Sequence, residues 1–133
     1  MALSVLIVED NPVQQRLYRL LCNRFAYACT IFDSAERALE YAAACTELPA
    51  IVLLDCRLHG QSGLPYVQKL KQLAAVRNMI LPVVAVTANA FESDRIECLD
   101  AGVDDYLSKP FTLEQFGQTL QRWMPKQNRM TVA

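Results

Sequence analysis

Apolar residues along this chain alternate between short unbroken runs and longer stretches at helical spacing, the rhythms of buried strands and of helices. The first run, Ser4-Val5-Leu6-Ile7-Val8, is apolar almost throughout, as expected of a strand covered on both faces. It ends at Glu9-Asp10-Asn11-Pro12. Asn11 suits a helix N-cap, Pro12 the first helical position, and Gln14 the third residue of a capping box. Val13, Leu17, Leu20, Leu21 and Phe25 then recur at helical spacing and predict the inward face of the first helix. A second strand is predicted over Ala28 to Phe32; it is less apolar and belongs at an edge. Ser34 caps a second helix whose small-residue stripe is Ala35, Ala38, Leu39, Ala42 and Ala43. Ala50-Ile51-Val52-Leu53-Leu54 is the most apolar run, predicted central, and it stops at Asp55.

A loop holding Gly60 and Gly63 leads to a third helix carrying Leu64, Val67 and Leu70. The fourth strand is predicted over Leu81 to Val86, ending at Thr87, and the fourth helix over Phe91 to Ala101 with Gly102 as its stop. Asp105-Tyr106-Leu107 makes a short fifth strand, followed by Ser108-Lys109-Pro110. Thr112 to Gln115 has capping-box form, Leu113, Phe116, Leu120 and Trp123 mark the last helix, and Pro125 halts it. Five strands alternating with five helices predict one α/β domain over residues 1–125, a doubly wound parallel sheet, with a polar tail at 126–133. Right-handed crossovers place helices on both faces. Ligands of such sheets sit outside the carboxyl ends of the strands.

Composition narrows the class. The chain has 133 residues, 53% hydrophobic and 20% charged, which suits one domain with a full core. Thirteen basic against fourteen acidic residues leave a formal charge of −1, so no broad basic field exists for direct nucleic-acid binding. No apolar run reaches the roughly 18–20 residues of a membrane span, and Met1-Ala2-Leu3-Ser4 lacks the features of a secretory signal. A soluble, cytoplasmic protein is expected. Cys22, Cys29, Cys45, Cys56 and Cys98 are scattered without a CxxC pair, which predicts reduced thiols acting as small hydrophobes.

The polar residues at the strand ends are the informative ones. Glu9 and Asp10 follow the first strand, Asp55 ends the third, Thr87 the fourth, and Lys109 follows the fifth. If strands one and three are neighbours, their ends lie about 5 Å apart, so three carboxylates would share one cleft and need a cation or a raised pKa to coexist. Oxygen-only ligands in an incomplete cage describe Mg²⁺ better than zinc. Lys109 and the Thr87 hydroxyl could meet phosphoryl oxygens, the small Ala88 leaves the approach open, and Asp55 is placed to be a carboxylate nucleophile. Taken singly, each has a plainer reading: a helix cap, a turn aspartate, a strand-end threonine, a surface lysine. Together they fall at one end of one sheet, and that shared position points to a site.

At these residues the chain resembles the receiver domain of two-component response regulators, from about Leu3 to Pro125. The resemblance rests on Val8-Glu9-Asp10-Asn11, Leu53-Leu54-Asp55, Gly63, Val86-Thr87-Ala88 and the run from Gly102 to Phe111, which includes Asp104-Asp105-Tyr106-Leu107-Ser108-Lys109-Pro110. It implies a flavodoxin-like sheet of order 2-1-3-4-5. It also implies phosphoryl transfer to Asp55 from the phosphohistidine of a histidine kinase dimerisation domain or a histidine phosphotransfer protein. Mg²⁺ would be held by Asp10, Asp55 and the backbone carbonyl of Arg57, with Glu9 assisting. Lys109 would pair with the phosphoryl group, Thr87 would swing toward it and Tyr106 would follow, remodelling the fourth-helix, fifth-strand and fifth-helix surface. Arg57 and Asn89 would tune hydrolysis, and the Lys109-Pro110 bond would be cis. Such a domain supports its own phosphotransfer and autodephosphorylation without being a conventional enzyme.

One departure from the family pattern is Leu58-His59 where Met-Pro is usual, which predicts a looser loop beside the site. The motifs look most like receivers of hybrid sensor kinases, which would tether the domain to the inner membrane through a larger parent; a stand-alone regulator is the other arrangement. A haloacid-dehalogenase phosphatase would want an acid at the position of Arg57, and a flavodoxin would not place Glu9-Asp10 against a flavin phosphate. The remaining competitor is a receiver-shaped interaction module that works without phosphorylation.

Overall fold

The computed structural model describes residues 3–88 and 92–125. Asn89, the expected helix start at Phe91 and the expected tail over 126–133 lie outside the described residues. In chain order the elements are β1 (Ser4–Val8), α1 (Pro12–Arg24), β2 (Ala28–Phe32), α2 (Ala35–Ala44), β3 (Ile51–Asp55), β4 (Arg57–Leu58), β5 (Gln61–Ser62), α3 (Pro65–Val76), β6 (Val83–Thr87), α4 (Glu92–Asp100), β7 (Asp105–Ser108) and α5 (Leu113–Trp123). The main sheet is parallel with order β2-β1-β3-β6-β7, and β4-β5 is a separate antiparallel hairpin. Without that hairpin the order is the expected 2-1-3-4-5. The hairpin stands where the sequence predicts plain loop, because two-residue strands are too short to carry a period-two signal.

Two apolar layers flank the sheet. Leu6, Val8, Val52, Leu54 and Ala85 pack with α2, α3 and α4, while Val5, Ile7, Leu53, Val84 and Val86 pack with α1 and α5. Every residue of β3 and β6 is buried, as continuous apolar runs in a parallel sheet require. The β2 edge is only partly covered. In α2, Ala35, Ala38 and Ala42 are buried and Ala43 is exposed. The small alanine side chains let that helix lie close to the sheet.

The first helix departs from the expected face. Tyr18, Leu21 and Cys22 are its buried residues, while Val13 is 74% and Leu20 64% exposed, with Leu17 also on the outer side. Tyr18 is 1% exposed, and its ring lies about 6 Å from those of Phe111 and Phe116, so aromatic packing with α5 sets the rotation of α1. Leu113, expected to face inward on α5, is 41% exposed, while Phe116 and Leu120 are buried. The mid-helix Gly117 has a packing reason: a Cβ there would meet the Phe25 ring at 2.4 Å.

The capping devices are close to expectation. The Asn11 side chain accepts from the amides of Val13 and Gln14, and Thr112 with Gln115 forms a full capping box. At α1, however, the Asn11 amide donates to Glu9 Oε2 at 3.2 Å, so Glu9 takes the role assigned to Gln14. The rotation of α1 gives a direct test by urea denaturation. Leu21→Ala should cost about 2–5 kcal/mol, whereas Leu20→Ala should stay within about 0.5 kcal/mol of the parent. Equal losses would place Leu20 in the core after all.

Candidate functional site

Strand register brings the polar residues level. Val8 pairs with Leu54 and Asp55 with Val86, so Glu9 and Asp55 follow at the same height. Thr87 pairs with Ser108, so Lys109 comes next at the same rim. The Lys109 Nζ donates to Glu9 Oε1 at 2.8 Å and to Asp55 Oδ2 at 3.0 Å. One ammonium thus bridges the ends of β1 and β3 from the far side of the sheet. The Lys109-Pro110 peptide is cis, as the resemblance implied.

Glu9, Asp10 and Asp55 each offer a carboxylate oxygen within 4.8 Å of the others. At that separation two like charges repel by about 3 kcal/mol at an effective dielectric of about 20. Lys109 offsets one of the three charges, so the rim carries an excess of negative charge. Glu9 is 1% exposed, and burial raises its carboxyl pKa above 4.5 although the Lys109 and Asn11 hydrogen bonds pull the other way. Asp10 is lowered, first by the backbone amide of His59. Burial opposes the charge on Lys109, but its bonds to Glu9 and Asp55 prevail and its pKa is raised.

The backbone completes the frame. The Arg57 amide donates to Asp55 Oδ1 at 3.0 Å, and the Gly63 amide donates to the Cys56 carbonyl at 2.9 Å. A Cβ on Gly63 would stand 2.7 Å from the Asp55 carbonyl oxygen, so any side chain here forces the backbone to shift. His59 does not loosen the loop in the way its departure from proline predicted. Its φ is +52°, a conformation closed to proline. Its amide donates to Asp10 Oδ2 at 2.7 Å, a bond proline cannot make, and its ring Nε2 lies 3.0 Å from the Asp33 carbonyl. Sequence reasoning assigned His59 no such contact, because the only signal would be a left-handed turn at His59-Gly60.

Thr87 is buried at the end of β6, and Tyr106 lies on β7 opposite Ala85. Alternation along paired strands puts both on the α2, α3 and α4 side, two rungs apart rather than side by side. Glu9, Asp10, Asp55, Arg57 and Lys109 are therefore brought together, Thr87 borders them, and Tyr106 stands one step removed.

The donor set is all oxygen, which suits a hard, hexacoordinate ion and not zinc. A family model described as the response regulator receiver domain matches residues 5–121. The chain belongs to that family. The receiver is 34% identical over 118 residues to the sensor histidine kinase RcsC of Salmonella typhi, covering 89% of this chain and 12% of that protein. It is 36% identical to the KDP operon transcriptional regulatory protein KdpE of Escherichia coli, covering 89% of this chain and 49% of that one. It thus spans an eighth to a half of such relatives. The receiver domain of sensor histidine kinase PA1611 from Pseudomonas aeruginosa, solved with a magnesium ion in its active site cleft, superimposes with TM-score 0.79 at 33% identity, over 92% of this chain and 98% of that one. Vibrio cholerae CheY4 shares the fold, with TM-score 0.81 at 19% identity over 93% of this chain and all of that one.

Two outcomes follow from this geometry. Lys109→Met should cost metal-free receiver about 3–5 kcal/mol near neutral pH, because Glu9 and Asp55 are left buried without their cation. Since burial raises the Glu9 pKa, that penalty exists above it and fades as pH falls through it. Asp10 contributes the opposite slope, its share of stability being lost as pH falls. Denaturant midpoints across a pH series should show the variant regaining stability toward acid relative to wild type; a constant gap would refute the pairing. Gly63→Ala should cost about 1–3 kcal/mol by overpacking against the Asp55 backbone; a Tm unchanged by that substitution would contradict the close approach.

Proposed function

We propose that the receiver accepts a phosphoryl group on Asp55 from the phosphohistidine of a histidine kinase dimerisation domain or a histidine phosphotransfer protein. The observation that carries this reading is the Lys109 bridge between Glu9 and Asp55, which holds a nucleophilic carboxylate at the rim with a cation beside it. An Asp55 carboxylate oxygen forms the new bond to phosphorus while the phosphorus–nitrogen bond of the donor breaks, and the leaving imidazole keeps the electron pair and takes up a proton. Asp10, Asp55 and the Arg57 carbonyl would hold Mg²⁺, with Glu9 assisting; the ion supplies charge neutralisation at the phosphoryl oxygens. Lys109 then moves from Glu9 toward the new phosphoryl group. The Thr87 hydroxyl donates to one phosphoryl oxygen, and Tyr106 follows, altering the α4, β7 and α5 surface. Arg57 and Asn89 tune hydrolysis of the acyl phosphate.

The donor has to cover this rim, and the apolar surface that borders it is the outer face of α1. Leu17 lines a groove of about 350 Å³ with Gln14, Ala88, Lys109, Pro110 and Phe111, and Val13 and Leu20 continue that face. We place the domain at residues 1–125 with 126–133 as a tail, working on the cytoplasmic side, within a hybrid sensor kinase. Similarity to RcsC and to hybrid signal transduction histidine kinase D of Dictyostelium discoideum supports that setting. No described helix is long and apolar enough to cross a membrane.

Incubation with acetyl phosphate and Mg²⁺ should add one phosphoryl mass, absent in Asp55→Asn and after chelation. No adduct on wild type would favour a binding module that is never phosphorylated. The switch has its own readout, because Trp123, the sole tryptophan, donates to Asp105 Oδ2 at 2.7 Å beside Tyr106. Thr87→Ala should still be phosphorylated but lose most of the accompanying change in Trp123 emission. An undiminished change would break the proposed coupling.

A further inference from the structure

Two thiols meet beside the site, and neither has a part in phosphoryl transfer. Cys56 follows Asp55 directly, Cys98 lies in α4, and their Sγ atoms are 3.5 Å apart across 42 residues of sequence. The Cys56 backbone is fixed on both sides, its amide donating to the Val86 carbonyl and its carbonyl accepting from Gly63, each at 2.9 Å. Cys98 is 2% exposed, yet both cysteines line a cleft of about 100 Å³ with Arg57, Thr87, Asp94 and Glu97. That space holds several water molecules, so hydrogen peroxide can enter it. A disulfide would draw these sulfurs together by about 1.5 Å, to roughly 2.05 Å.

We propose that Cys56 and Cys98 are an oxidisable pair, crosslinked by hydrogen peroxide into a disulfide that ties α4 to the end of β3. The first thiol is oxidised to a sulfenic acid with release of one water. The second thiol attacks that sulfur, the sulfur–sulfur bond forms, and a second water leaves. Overall, two thiols and one peroxide give one disulfide and two waters. Burial raises the pKa of both thiols, so their reaction with peroxide is slow. Cys22 and Cys29 also interact, but they sit toward the opposite end of the sheet, where Cys29 pairs with Val5. A crosslink there would not touch α4.

The consequence rests on the reading of the molecule as a phosphorylated switch. A strap between β3 and α4 leaves Asp55 in place while holding the helix that must adjust when Thr87 moves. Oxidised receiver should therefore still accept a phosphoryl group, with the Trp123 response reduced several-fold and restored by dithiothreitol.

The experiment treats the intact chain with hydrogen peroxide, alkylates the remaining thiols after unfolding, and maps peptides without reduction. The expected result is a mass loss of two hydrogens and a Cys56–Cys98 peptide, reversed by dithiothreitol and absent in Cys98→Ser. Because that variant could fold poorly, a time course on the wild-type chain, quenched and alkylated after unfolding, is the second measure: Cys56 and Cys98 should lose their free thiols together while Cys45 keeps its own. Independent alkylation of the two, separate conversion to sulfinic acids, or a crosslink confined to Cys22–Cys29 would overturn the proposal. The mapping needs no phosphodonor, so failure to phosphorylate Asp55 would sink the proposed function and leave the thiol result standing.

Discussion

Three carboxylates and one ammonium at a nearly dry rim form the constraint on which the rest of this structure depends. Glu9 is buried, Asp10 half-buried and Asp55 buried, and the lysine that separates two of them comes from the opposite edge of the sheet. Such a cluster is unfavourable unless position is fixed and cations are at hand. Fixing the position is the work of the fold. Parallel register sets Glu9 and Asp55 at one height, amides of Asn11, Arg57 and His59 each donate to one of the three carboxylates, and Gly63 lets the following loop lie against the Asp55 backbone. The resulting excess of negative charge favours the binding of a divalent cation.

The same lysine makes the rim communicative. It leads into the loop before α5, whose Phe111 and Phe116 rings pack with Tyr18 of α1. On the other face of the sheet, Thr87 and Tyr106 share a side with α4. Lys109 and Thr87 therefore border two packed networks, the aromatic cluster on one face and β6 with β7 on the other. The Asp105 carboxylate accepts from both Arg122 and Trp123, so the far end of α5 is tied to the strand that carries Tyr106. The thiol contact between Cys56 and Cys98 adds a third connection, between the end of β3 and α4.

Much of this was legible in the residues. Continuous apolar runs identified the central strands, and the polar residues ending them marked the site, because in a parallel sheet a strand end is also a place in space. What escaped was rotation and local turn geometry. In α1, Val13, Leu17 and Leu20 repeat at helical spacing, and so do Tyr18, Leu21, Cys22 and Phe25, so period alone gives two faces and cannot rank them. The aromatic partners on α5 decide, and they lie nearly a hundred residues away in sequence. The His59 contact with Asp10 depends on a left-handed backbone that histidine does not advertise. Glu9 as acceptor for the Asn11 amide was hidden behind the more familiar Gln14 pattern.

Magnesium titration by calorimetry is the most direct measurement of the reserve of charge at the rim. The account predicts one saturable site in wild type, weakened at least tenfold by either Asp10→Asn or Asp55→Asn, each of which removes one of the charges that make the cluster costly without a cation. Binding of equal strength in all three proteins would show that the ion, if held at all, is held elsewhere, and the clustered acids would then have no partner to justify them.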